Sequence, residues 1–304
     1  MSTTTVQQKW TLASFALHDA YTDFVLSRQA MQCTPATLEF YKHTAGKFLS
    51  WLEGQSVNHP HEVEARHIRA YLAELISVGK SDWTVNDNAR AVRTLLRFWH
   101  TENYIPVPIP FSMPKVAKKR LPVLTAEELS KVIAACRNPR DKALILFMAD
   151  SGLRRAETIA LNWGDLDMSS GLVRVARGKG GKARSAVVGS STRRALLQYR
   201  RTLKNVSDNA PLFQTREGGR FASDGFIQIF NRMKKHTGIH VTPHCLRRTF
   251  VILSLRAGMD VLHLQALLGH ASLDMVQHYA QMIDEDLLSS HAAHSPIDNL
   301  ARLK

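Results

Sequence analysis

The sequence predicts a mainly α (α+β) protein of two domains, the second of which carries a small antiparallel sheet. Apolar residues recur at three- and four-residue spacing over most of the chain, as one buried helix face requires. A proline-rich, basic stretch at 104–123 interrupts that periodicity and divides the chain. One segment, 171–188, alternates apolar and polar residues around a glycine-rich centre, which is how a hairpin of half-buried strands reads.

The first domain, 14–104, follows a short tail at 1–13 and divides into four helical patterns. Residues 14–30 place Phe15, Leu17, His18, Tyr21, Phe24, Val25 and Leu26 on one side. Thr34-Pro35 is a cap followed by the residue that suits a first helical position, and Leu38, Tyr41, Phe48, Leu49 and Leu52 form the stripe behind it. Glu64 to Val78 repeats the pattern with Ile68, Tyr71, Leu72, Leu75 and Ile76. Ser81 caps the fourth helix, whose apolar face is Val85, Val92, Leu95, Leu96, Phe98 and Trp99. Its other face carries Asn86, Asn88, Arg90, Arg93 and Arg97. Such a face is either a solvated surface or one that lies on DNA, and spacing does not choose.

Between the domains, 105–122, Pro106, Pro108, Pro110, Pro114 and Pro122 exclude a helix and favour an extended strap. Lys115, Lys118, Lys119 and Arg120 make it basic. It reads as a linker able to track a phosphate backbone, or as a structural spacer with solubilising charges.

The second domain, 123–304, opens at a capping box, Thr125 to Glu128. A helix over Asp141–Asp150 ends at Ser151-Gly152, and Arg154 opens the next, with Glu157 as a buried structural partner. Arg155 is adjacent, and spacing does not say which arginine faces a substrate. Gly171 to Arg177 alternates as a strand, Gly178-Lys179-Gly180-Gly181 turns it, and Arg184 to Val188 returns. The turn lacks the spacing and the Ser/Thr of a nucleotide-binding P-loop. Ser191-Thr192 caps a helix to Leu203, and another spans Phe226–His236. Thr242-Pro243 then starts a helix in which His244 and Arg247 share a face, with Leu246, Phe250, Leu253 and Leu255 as its apolar side. Asp260 to Leu268 follows, Gly269 ends it and exposes His270, and Tyr279 lies two turns into a helix capped by Ser272. A helix N-terminus bearing Arg and His is a natural anion site. The tail, 283–304, places Ile283, Leu287 and Leu288 on one helix face before Ser295-Pro296 breaks it.

The 304 residues carry a formal charge of +14, which suits a polyanionic partner. Cys33, Cys136 and Cys245 are odd in number and far apart, pointing to a reducing compartment rather than a disulfide framework. No run reaches the ~18 apolar residues of a membrane helix. The opening residues show no secretory signal. A cytoplasmic protein is expected. His244, Cys245 and His270 lack the paired spacing of a zinc site, so neither metal nor cofactor is expected.

His244-Cys245-Leu246-Arg247, Gly269-His270 and Tyr279 nine residues later resemble the signature of the tyrosine recombinases (phage integrases). Ser151-Gly152-Leu153-Arg154, with Glu157 three further on, and the hairpin lysine Lys179 match the same family in the same order. The resemblance covers about 120–304 and, more loosely, the helices before it. It implies a helical core-binding domain of SAM-like type before a mixed α/β catalytic domain. It selects Arg154 over Arg155, which it leaves on the surface, and brings Arg90, Arg93, Arg97 and the strap's basic residues toward DNA.

The activity implied is site-specific DNA recombination through a 3′-phosphotyrosine, independent of metal and ATP. Arg154 and Arg247 would clamp the non-bridging phosphate oxygens, with hydrogen bonds from His270 and His244. Tyr279 would attack, His244 would serve as base and Lys179 would protonate the leaving 5′-oxygen. The partner implied is double-stranded DNA with inverted-repeat core sites. A homotetramer assembles on it, joined in some systems by a related recombinase or accessory proteins and associated with the nucleoid. The tail would dock on a neighbouring protomer or on its own domain. The short N-terminal tail favours a simple recombinase of Xer, resolvase or transposon type over an integrase with an arm-binding domain. Two other readings stand beside this one: a DNA-binding architectural protein without catalysis, and DNA relaxation of the type IB topoisomerase kind.

Overall fold

The structure, a computed structural model, describes residues 16–117, 121–175, 183–204 and 206–269. The chain divides into two compact units, Met1–Lys119 and Arg120–Lys304, each with its own apolar core.

In the first unit the four helical patterns become α1 (Leu17–Ala30), α2 (Pro35–Gly54), α3 (Ala65–Ser77) and α4 (Asp82–Thr101). Thr34 and Ser81 cap α2 and α4, their hydroxyls accepting from the backbone N–H of Thr37 and Thr84 at 3.3 and 3.2 Å. Phe24, Phe48, Leu52, Leu95 and Trp99 are fully buried at the centre. Burying side chains of this size contributes about 1.5–3 kcal/mol each. The Trp99 indole N–H donates to the Ala20 carbonyl at 3.1 Å, tying α4 to α1. Among the described stripe residues, His18, Leu26 and Ile76 are exposed and lie outside this core.

The strap corrects the reading of the α4 polar face. Residues 105–117 do not run free of the helices. Ile105 is fully buried, and Ile109, Phe111 and Met113 pack partly buried on the same core. Prolines contribute no N–H, so the extended strap carries carbonyls without internal donors. Asn86 supplies one donor, to the Pro114 carbonyl at 3.0 Å, and Arg93 another, to Phe111 at 3.0 Å. The Arg93 guanidinium also lies 5.3 Å from the centroid of the Phe111 ring. Asn88 is not on the solvent face at all. It is buried, accepting from the Tyr71 hydroxyl at 2.9 Å and donating to the Thr84 carbonyl at 2.8 Å. Arg90, Arg97 and Lys115 are exposed, with Arg90 3.5 Å from Asp87.

The second unit contains α5 (Ala126–Ala134), α6 (Pro139–Ser151), α7 (Arg155–Ala160), the strands β1 (Leu172–Val175) and β2 (Arg184–Val187), α8 (Ser190–Arg200), α9 (Ser223–Thr237), α10 (Pro243–Arg256) and α11 (Val261–Leu268). The strands pair antiparallel, Leu172 opposite Val187 and Val175 opposite Arg184. Helix α6 is central, packing against both α8 and α10, with Leu144, Phe147 and Met148 buried. The Thr125–Glu128 capping box forms as its sequence requires. Helix α8 does not take its cap from Ser191-Thr192. Asp150, at the end of α6, accepts from the Gly189 N–H at 2.7 Å and the Thr192 hydroxyl at 2.6 Å, so a carboxylate from a neighbouring helix does the capping. Helix α10 is buried around most of its circumference, Cys245, Arg247, Thr249, Val251 and Ile252 included, rather than along one stripe.

No helix among the described residues is long and apolar enough to cross a membrane. Among them, too, no group of three His, Cys, Asp or Glu is placed to hold a metal ion.

Candidate active site

Two close approaches shape the site. Gly152 caps α6 in the left-handed region, φ 60°, and a Cβ there would overlap the Phe250 ring of α10. Helix α10 therefore rests directly on the turn that leads to Arg154. Gly269, φ 67°, ends α11, and a Cβ there would overlap the Arg184 side chain.

Arg154 is the N-cap residue of α7. Its backbone N–H donates to Glu157 Oε2 at 2.8 Å, and its Nη1 donates to Glu157 Oε1 at 2.9 Å. The carboxylate thus fixes both the backbone and the guanidinium of the same residue. Arg247 comes from α10. It is only 5% exposed and donates from Nη1 to the Gly152 carbonyl at 2.5 Å and from Nη2 to the Leu268 carbonyl at 3.2 Å. A buried guanidinium needs such partners, since an uncompensated charge in the interior is costly.

His244 lies one turn before Arg247 with an exposed side chain. Its pKa is held below the usual imidazole value, first by partial loss of hydration and then by the positive charges of Arg248, Arg155, Arg247 and Arg154. At neutral pH the ring is uncharged and able to accept a proton. Arg155 is half-buried and contributes to this cationic surrounding.

Glu157 is buried, as its place beside Arg154 suggested. Burial pushes its pKa up, but the hydrogen bond from Arg184, the Arg154 N–H, and the charges and bonds of both arginines outweigh that and bring it to about 2. Arg184 is the residue the sequence reading missed. Its Nη1 and Nη2 meet Glu157 Oε1 and Oε2 at 2.9 and 2.7 Å, and its Nε meets the Leu267 carbonyl at 3.2 Å. A signal was available: Arg184 shares a strand face with Ala186 and Val188, and an arginine on an apolar face requires a buried carboxylate.

Arg154, His244 and Arg247 are thus brought together. Lys179, His270 and Tyr279 lie outside the described residues, as do Lys118, Lys119 and Arg120. The described tyrosines have other duties. Tyr199 is buried and its hydroxyl accepts from the Gln214 N–H at 3.0 Å. Tyr71 and Tyr104, in the first unit, are each pushed up to about 12, above all by desolvation.

A profile of the Phage integrase family matches residues 122–285. Tyrosine recombinase XerC of Thermodesulfovibrio yellowstonii is 32% identical over 277 residues, 86% of this chain and 90% of that protein. Tyrosine recombinase XerA of Saccharolobus solfataricus is 26% identical over 279 residues, covering 90% and 91% of the two chains. Among solved structures, XerA recombinase aligns with a TM-score of 0.52 at 26% identity, over 92% of this chain and 99% of that one. A lambda integrase dimer bound to a COC′ core site aligns at 0.74 with 20% identity, over 87% and 95%, a likeness of fold.

Proposed function

This chain belongs to the phage integrase family and is a site-specific DNA recombinase of the tyrosine class; from that premise we propose the residues that carry the reaction. Arg154 and Arg247 clamp the two non-bridging oxygens of the scissile phosphate, where negative charge concentrates in the pentacoordinate transition state. The Tyr279 phenol loses its proton to neutral His244 and its oxygen bonds to phosphorus. The bond to the 5′-oxygen breaks, and Lys179 supplies the proton that oxygen needs. His270 donates a further hydrogen bond to the phosphate. The product is a 3′-phosphotyrosine and a free 5′-hydroxyl. Attack by a 5′-hydroxyl of another strand reverses these steps, so the energy of the phosphodiester is kept and no ATP is spent.

The observation that carries this assignment is the junction at Gly152, where the Arg247 guanidinium bonds a carbonyl 95 residues earlier in the chain. That bond sets two arginines and a neutral imidazole around one turn. DNA is the partner; a lambda integrase dimer of the same fold was solved bound to a COC′ core site, and double-stranded DNA with inverted-repeat core sites is the substrate this reading expects. The first unit grips the duplex in this reading, through the exposed Arg90, Arg97 and Lys115, with Arg93 holding the strap and Lys118, Lys119 and Arg120 extending the basic run. A tetramer on DNA, cytoplasmic and assisted by accessory proteins where a system uses them, completes the proposal.

A nicked duplex carrying a core site traps the covalent product because the cleaved end diffuses away. The wild-type protein should form an adduct on it. Tyr279→Phe should form none while keeping DNA affinity within about twofold. An adduct that persists in the Phe variant and maps to Tyr199 would reassign the nucleophile. Binding without any adduct in the wild type would leave an architectural role instead.

A further inference from the structure

We propose that Arg184 is a positioning residue for strand cleavage, acting on the phosphate clamp through Glu157. The inference rests on the assignment of Arg154 to that clamp.

Three observations carry it. Arg184 spans both oxygens of Glu157, at 2.9 and 2.7 Å, and the same two oxygens hold the Arg154 backbone N–H and Nη1 at 2.8 and 2.9 Å. One carboxylate therefore takes four donors, two from each arginine. With Arg184 removed, Glu157 keeps only local bonds and Arg154 loses the fixed surface against which its guanidinium is aimed. The side chain of Arg184 is 9% exposed, so it acts on bound DNA through its neighbours.

The same side chain also holds the end of α11. Its Nε donates to the Leu267 carbonyl at 3.2 Å, beside the Leu268 carbonyl that takes Arg247. Carbonyls at a helix C-terminus lack partners within the helix and carry its negative end, so two guanidinium groups there satisfy both needs. Gly269 brings the backbone against the Arg184 stem, where any Cβ would collide. Arg184 thus joins the base of the β hairpin, the Arg154 turn and the end of α11.

Lysine cannot reproduce this role, since one ammonium offers no planar fork for two oxygens and a third acceptor. Misplacement of a reacting group by about 1 Å costs on the order of 10²-fold.

The experiment measures single-turnover cleavage and DNA affinity for Arg184→Lys, with melting as a check on folding. Cleavage should fall on the order of 10²-fold, with affinity within about threefold. Glu157→Gln, which keeps shape and loses charge, is the second variant and should behave alike. Two comparisons separate a positioning role from a general loss of structure. On a substrate whose bridging 5′-oxygen is sulfur, the leaving group needs no proton, so Lys179→Ala should recover. Arg184→Lys should stay defective there, as Arg154→Ala does. In an Arg154→Ala background, Arg184→Lys should cost little more, because its route is already cut.

Wild-type cleavage by Arg184→Lys, its recovery on the sulfur substrate, or full additivity with Arg154→Ala would each overturn the proposal. Failure of the wild type itself to form an adduct would overturn the assigned reaction along with it.

Discussion

At the scale of single residues, the site is a set of charges that hold one another. Glu157 stays ionised because two arginines bond it, and those arginines stay ordered because it is ionised. Its depressed pKa places the related stability above the usual carboxylate range, to be lost as pH falls toward about 2. His244 responds in the same direction, over a pH range nearer neutrality. Its folded pKa lies below 6.5, so the charged ring is disfavoured and the neutral ring persists to lower pH than in a free imidazole. If that ring takes the Tyr279 proton, single-turnover cleavage should hold level down to pH 6.5 and fall only below it. His244→Gln should lower the rate by roughly 10²-fold or more and abolish the acid limb. An acid limb that survives in the Gln variant would assign the titration to another group.

At the scale of elements, caps and stripes were readable and tertiary partners were not. Thr34, Ser81, Thr125 and Thr242 each stand where a side-chain oxygen meets a backbone N–H of the first turn, a local pattern that a sequence displays. Asp150 capping α8 is invisible to such reading, because the cap lies 39 residues from the N–H it serves. Arg93 misled for a similar reason: on a helical wheel it faces solvent, and only the returning strap shows why it is there. That contact can be tested. Arg93→Ala removes a hydrogen bond and a stacked cation from Phe111, so chymotrypsin should cut after Phe111 several-fold faster than in the wild type. An unchanged rate would mean that the prolines and the buried Ile105 hold the strap unaided. Within the site, Arg154, His244 and Arg247 were legible from spacing and family likeness. The Arg184 link was not, since it joins residues 27 and 83 positions apart.

At the scale of the whole molecule, charge decides how DNA is held. With 40 Lys and Arg against 26 Asp and Glu, affinity should fall steeply as salt rises, through release of counterions from the duplex. Replacing Lys118, Lys119 and Arg120 with Ala should weaken binding to every sequence and flatten the logarithmic salt slope by up to about one per lost phosphate contact. A slope that does not change would make those residues a spacer. The junction at Gly152 bears on something else, the order in which a ribosome makes this protein. The turn that presents Arg154 is made early, and the guanidinium that closes it is made 95 residues later. At about 5–20 residues per second, that gap lasts roughly 5–20 seconds. A nascent or prematurely ended copy therefore holds an open, unarmed turn. On the proposed assignment of Arg247 to the phosphate clamp, a fragment that ends before residue 247 cannot cleave DNA, and that capacity arrives only late in synthesis.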